Sequence, residues 1–108
     1  KPKLEQVFVF ESPIDLMSHT TLYGYPTTNA VAQCGLWDGP LETYLKENPH
    51  IRDIVLCLDN DAPGRNAIQQ MRKKYEGKGY SIKERLPKAG KDWNEMRQKH
   101  MRKKQMAR

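Results

Sequence analysis

With 108 residues, the chain is long enough for one hydrophobic core and too short for a second. It has no apolar run near the roughly 20 residues that span a bilayer and no signal-peptide pattern, so we expect a soluble, cytoplasmic domain of a longer protein. The net charge of +6 lies at one end: Arg97, Lys99, Arg102, Lys103, Lys104 and Arg108 follow Met96 with no acid among them, leaving 13 basic against 13 acidic residues elsewhere.

Val7-Phe8-Val9-Phe10 is a β-favouring apolar run ending at Glu11 and predicts a buried strand. Ser12-Pro13 reads as an N-cap followed by proline at the first helical position, with Ile14, Leu16 and Met17 giving a short helix through about His19. Gly24 and Pro26 mark 20–28 as mostly loop. Asn29 to Cys34 predicts a second strand. Asp38-Gly39-Pro40 starts a helix carrying Leu41, Tyr44 and Leu45 on one face, and Asn48-Pro49 stops it. Asp53 to Leu58 is apolar enough for a strand covered on both faces. A helix from about Ala62 to Tyr75 follows, with Ala67, Ile68, Met71 and Tyr75 on one stripe and Gly77 and Gly79 at its end. Tyr80 to Leu86 alternates as a fourth strand, Ile82 and Leu86 inward and Lys83 and Arg85 outward. Trp93, Met96, His100 and Met101 have helical spacing, so the basic tail begins as a helix. Strands alternating with helices imply crossovers and a mainly parallel sheet, an α/β fold of about four strands flanked by helices.

Acids at the carboxyl end of a buried parallel strand sit where open α/β sheets bind ligands. Asp59 and Asp61 end the third strand and can reach one cation if the chain turns there. Glu11 ends the first strand and joins them if the two strands are neighbours. Carboxylates that close repel one another unless a cation intervenes, and an all-oxygen set suits Mg²⁺ or Mn²⁺ rather than zinc. Asp15, one helical turn after Glu11, and Asp92, after the fourth strand, can face the same edge; as helix-terminal acids they have a dipole explanation too. Lys91 and Arg65 can meet phosphate, although Lys91 reads first as a solvated turn residue rather than a ligand contact. An EF-hand is excluded, because Pro63 and Gln70 stand where a calcium loop needs an oxygen donor and a glutamate. Cys34 and Cys57 lack CxxC partners and read as reduced core residues. His19, His50 and His100 have no ligand spacing and read as surface residues. Tyr44 and Tyr75 fit core stripes rather than a nucleophile.

Glu11-Ser12-Pro13-Ile14-Asp15, Asp59-Asn60-Asp61-Ala62-Pro63-Gly64 and Gly90-Lys91-Asp92 resemble, in order and spacing, the three motif blocks of the Toprim domain, closest to the bacterial primase version and to primase-like proteins of plasmids and mobile elements. The resemblance implies a Rossmann-like Toprim domain over residues 1–95, with 96–108 as a basic extension. It implies Glu11 in acid/base or metal duty, Asp59 and Asp61 as divalent-metal aspartates, and Asp15 and Asp92 as further acids around the metal. The implied activity is Mg²⁺-dependent nucleotidyl transfer on DNA or RNA, with nucleotides and the parent protein's other domains as partners. A Toprim nuclease or topoisomerase fragment and a non-catalytic metal-binding module are the alternatives. A haloacid-dehalogenase phosphatase also places D-x-D after an apolar strand, but normally on its first strand. Three departures stand out: Ser12 replaces the usual Gly, Pro63 the usual Ala, and Asn94 the last Asp.

Overall fold

The computed structural model describes residues 5–23, 29–33, 35, 38–88 and 90–106. In chain order its elements are β1 (Gln6–Phe10), α1 (Pro13–Tyr23), β2 (Asn29–Ala32), α2 (Gly39–Glu47), β3 (Asp53–Cys57), α3 (Ala62–Glu76), β4 (Ser81–Glu84) and α4 (Trp93–Met106). The four strands form one sheet in the order β2-β1-β3-β4, and every pairing is parallel. This is the α/β, Rossmann-like arrangement expected from the alternating pattern.

Burial on both faces explains why β3 reads as an unbroken apolar run: all five of its residues are buried. The period of two then sorts side chains between layers. Val7, Val9, Ile54, Leu56 and Ile82 pack with Leu41 and Leu45 of α2 and with Ala67, Ile68, Met71 and Tyr75 of α3. Phe10, Val55 and Cys57 pack on the other face with Trp93 of α4, and Phe8, Leu16, Leu22 and Met96 close that layer. Helices therefore cover both faces. Cys57 is buried, which pushes its thiol up to about 12 and leaves it unreactive; Cys34 lies outside the described residues.

The two helices over the first face are tied by a polar contact. Asp38 precedes α2 but makes no side-chain cap there; its Oδ2 instead accepts from Tyr75 Oη at 2.6 Å and Lys74 Nζ at 2.7 Å. Burial raises the Asp38 carboxyl, and these two hydrogen bonds outweigh it, so the group sits below its usual range. Arg72 pairs with Glu76 and Glu84, and Lys74 also with Glu42. Of the basic run 72–74, Lys73 is exposed, while Arg72 and Lys74 are partly covered by these ion pairs.

Three expectations need correction. Helix α1 runs to Tyr23 rather than ending near His19. Thr20 and Thr21 read as loop, but their hydroxyls donate to the Leu16 and Met17 carbonyls four residues back, both at 3.0 Å, and stay in the helix. β4 is shorter than expected, ending at Glu84, although Leu86 still packs on the core. His19 is not on the surface, unlike His50 and His100; it is 3% exposed, with its ring against Phe8, Phe10 and Trp93.

That burial has a pH consequence. Desolvation, with a smaller contribution from the positive charge of Arg85, lowers the His19 pKa from 6.5 to about 4. Between those values the unfolded chain takes up a proton that the folded one refuses, so stability falls as pH drops through that window. The loss reaches roughly 3 kcal/mol at most by pH 4. Urea unfolding of wild type and His19→Leu at pH 7, 5.5 and 4.5 is expected to show the wild type losing stability relative to the variant as pH falls. A constant difference between the two proteins would refute it.

Candidate metal centre

Parallel pairing sets the geometry of the site. Phe10 lies opposite Cys57 in the β1–β3 register, so Glu11 and Asp59 leave the sheet side by side at its carboxyl edge. The chain goes to opposite sides from these strands, since β2 flanks β1 and β4 flanks β3. This is the switch point at which open α/β sheets form a crevice. An open cleft of ≈ 370 Å³ lies there, lined by Glu11, Ser12, Ile14, Asp15, Gly35, Asp59, Asp92 and Asn94.

Each acid arrives by a different local device. The Glu11 carboxylate accepts the Asp59 backbone N–H at 3.1 Å, locking the ends of β1 and β3 together. Ser12 precedes α1; its hydroxyl accepts the Asp15 N–H at 3.2 Å and donates to Asp15 Oδ2 at 3.0 Å. The serine in place of glycine thus orients the acid. Asp15 Oδ1 also accepts the Asn94 N–H at 3.4 Å, joining α1 to the start of α4. Asp92 Oδ1 accepts the Glu95 N–H at 2.8 Å and caps α4. The Asn60 N–H donates to the Lys91 carbonyl and its amide to Pro87 O at 3.4 Å, which holds the loop after β4 against the loop after β3. Asn60 is a positioning residue that spacing gave no reason to single out.

Carboxylate oxygens of Asp15, Asp59 and Asp92 all lie within 4.8 Å of one another. Asp15 is buried and the other two partly so. Burial, contact with Glu11, and the charges of Glu11, Asp92 and Asp61 push Asp59 up to about 8. Asp15 is also raised, first by burial; its bonds to Ser12 and Asn94 oppose this, while the charges of Asp59 and Asp92 add to it. Asp59 Oδ1 is buried with no hydrogen-bond partner. A buried carboxylate oxygen left unpaired beside two further acids is costly for the protein alone. An all-oxygen donor set with one such atom fits a hard divalent cation.

The remaining expected site residues stand apart from these three. Asp61 accepts the Gly64 N–H at 2.8 Å and is the N-cap of α3. Pro63 sits in the first helical turn, where its missing N–H costs nothing. Asp61, Arg65 and Lys91 do not line the cleft. Arg65 donates to Asn60 Oδ1 at 3.1 Å, and Lys91 is exposed on the loop before Asp92.

Among known families, the model described as Toprim-like matches residues 8–97, most of the chain. The chain belongs to the Toprim-like family. A search of curated proteins found no match. Toprim domains bind divalent metal ions and generally act on nucleic acids, and the cluster of Asp15, Asp59 and Asp92 at the edge of this Toprim sheet could hold such an ion. Among the described residues, no helix is long and apolar enough to cross a membrane.

Proposed function

We propose that this Toprim domain belongs to a primase-like protein and serves Mg²⁺-dependent nucleotidyl transfer on nucleic acid. The observation that carries the reading is the buried, unpartnered Asp59 Oδ1 within reach of Asp15 and Asp92. Those three residues would hold the cation, with Asp61 nearby at the head of α3. When bound, the cation supplies charge neutralisation for phosphate oxygens and for the attacking hydroxyl. Glu11, at the cleft wall and hydrogen-bonded to the Asp59 backbone, would take the proton of a 3′-hydroxyl. Lys91, on the loop before Asp92, and Arg65, in the first turn of α3, would meet the phosphates of the incoming nucleotide. Asn94, in place of a further acid, leaves the outer part of the site less negative and donates its N–H to Asp15.

The test is nucleotide incorporation by the full-length protein that carries this domain. Given a single-stranded template, labelled nucleotides and Mg²⁺, it is expected to extend a chain and to stop when the cation is chelated. Phosphodiester cleavage without synthesis would assign the same carboxylates to a nuclease. Neither activity would leave a metal-binding module and refute the proposal.

A further inference from the structure

Asn94 stands at the start of α4, where its side-chain amide divides two surfaces. It lines both the carboxylate cleft and a neighbouring groove of ≈ 260 Å³ between α1 and α4, whereas Ser18 and Arg97 line the groove alone. The oxygen end of the amide is the one turned to the groove. Its Oδ1 accepts from Arg97 Nη2 at 3.2 Å and from the buried Ser18 hydroxyl at 3.4 Å. A serine hydroxyl can meet either end of an amide, but a guanidinium can only donate, so the arginine decides the orientation. The Nδ2 end is left for the cleft side. It has no hydrogen-bond partner among the described residues and is not sealed from solvent. The main chain of Asn94 meanwhile donates to Asp15 Oδ1 at 3.4 Å. Residue 94 is thus tied to the acidic cluster through its backbone and presents side-chain N–H donors next to it.

That polarity limits what the cluster can hold. A hard cation needs oxygen lone pairs, and an amide nitrogen offers none while turning positive partial charge toward the ion. Asp61, the other acid of the loop after β3, is committed to the N-cap of α3 and does not line the cleft. Glu11 does line it, but accepts the Asp59 N–H and stands outside the three acids whose oxygens lie within 4.8 Å of one another. Among the described residues, no second group of three such ligands comes together. Oxygens for one cation are gathered at one point, and the next position outward carries a donor.

We infer that the cleft is a one-cation site and that Asn94 sets this count. It withholds an oxygen from a second ion and gives an N–H to an anionic oxygen that the first ion brings in. The chemical class of that ligand is a diphosphate, whose several oxygens can serve a cation and a charge-assisted donor at once. This deepens the function proposed above and rests on it for the presence of the first cation.

The experiment titrates the 108-residue chain with Mn²⁺, reading the free ion by electron paramagnetic resonance. Pyrophosphate binding is then measured by equilibrium dialysis at a fixed free Mn²⁺ concentration. Wild type is expected to bind a single Mn²⁺. In Asn94→Asp one carboxylate oxygen keeps the Arg97 and Ser18 contacts and the other replaces Nδ2, so a second Mn²⁺ is expected. Asn94→Ala is expected to keep a single Mn²⁺ and to lose about tenfold in pyrophosphate affinity, the size of one hydrogen bond to a charged group. Thermal melts establish that each variant is folded, and the wild-type count and Asn94→Ala decide the matter if Asn94→Asp is not. Two Mn²⁺ in wild type, a single one in folded Asn94→Asp, or pyrophosphate affinity that is absent in wild type or unaltered in Asn94→Ala would each overturn the inference and leave the metal centre standing. No Mn²⁺ bound by wild type would instead remove the metal centre, and this inference with it.

Discussion

Asp59→Asn is expected to lower metal affinity and to raise the stability of the metal-free protein. The carboxylate is crowded by Asp15 and Asp92, and its Oδ1 is buried without a partner. Without a cation, folding at neutral pH forces Asp59 to take up a proton that the unfolded chain does not bind, a cost that a neutral amide of the same shape removes. Relief on the order of 1 kcal/mol corresponds to a rise of about 4–8 °C in melting temperature for a domain of this size. Loaded with Mn²⁺, the order reverses, because ligand binding to the native state stabilises only the protein that can bind. Wild type is expected to gain melting temperature with Mn²⁺ while Asp59→Asn does not, and calorimetric affinity is expected to fall at least tenfold. Unchanged Mn²⁺ affinity in Asp59→Asn would remove the metal centre. Asp61→Asn is the informative companion. Asparagine caps helices as well as aspartate does, so its stability is expected to hold, and its Mn²⁺ affinity to fall by less than that of Asp59→Asn.

Where burial leaves a local pattern, the fold is legible in the sequence. β3 announces itself because both of its faces are covered, and the alternation of strands with helices is enough to imply parallel pairing. The order β2-β1-β3-β4, which sets Glu11 beside Asp59, entered only as a condition, since pairing partners leave no local mark. α1 is the least legible element for a physical reason: it turns Asp15, Ser18 and His19 inward and Ile14 and Met17 outward, so its periodicity does not report its packing. His19 therefore passed for a surface residue. Asp15 and Asp92 are a subtler case. Read as helix-terminal acids or as cluster members, they invited a choice, yet each is both: Asp92 caps α4 and Asp15 takes the Ser12 hydroxyl, and those same bonds hold their carboxylates in the cluster. Spacing alone had no means of showing that one bond does both tasks.

Gly64→Ala is expected to be the most damaging single methyl that the loop after β3 can receive. Gly64 is buried in the first turn of α3, and a Cβ there would lie 2.2 Å from the Asp59 carbonyl oxygen and 3.0 Å from Asp61 Oδ1. Both neighbours are anchored: Asp61 caps the helix through the Gly64 N–H, and the Asp59 N–H is held by Glu11. The obstacle is backbone rather than the end of a flexible chain, so relief requires α3 to withdraw or the Asp59 peptide to turn. Overpacking of this kind costs about 1–3 kcal/mol, and turning that peptide would also carry the Asp59 carboxylate out of reach of Asp15 and Asp92. We therefore expect a melting temperature at least several degrees below wild type together with a loss of Mn²⁺ affinity of more than tenfold. Gly77→Ala provides the control. At the other end of α3 its φ is −63° and its nearest Cβ neighbour, the Lys73 carbonyl oxygen, is 3.2 Å away, so a shift of tenths of an ångström suffices. If the two variants melt alike and bind Mn²⁺ alike, the close approach of α3 to the Asp59 carbonyl does not shape the site.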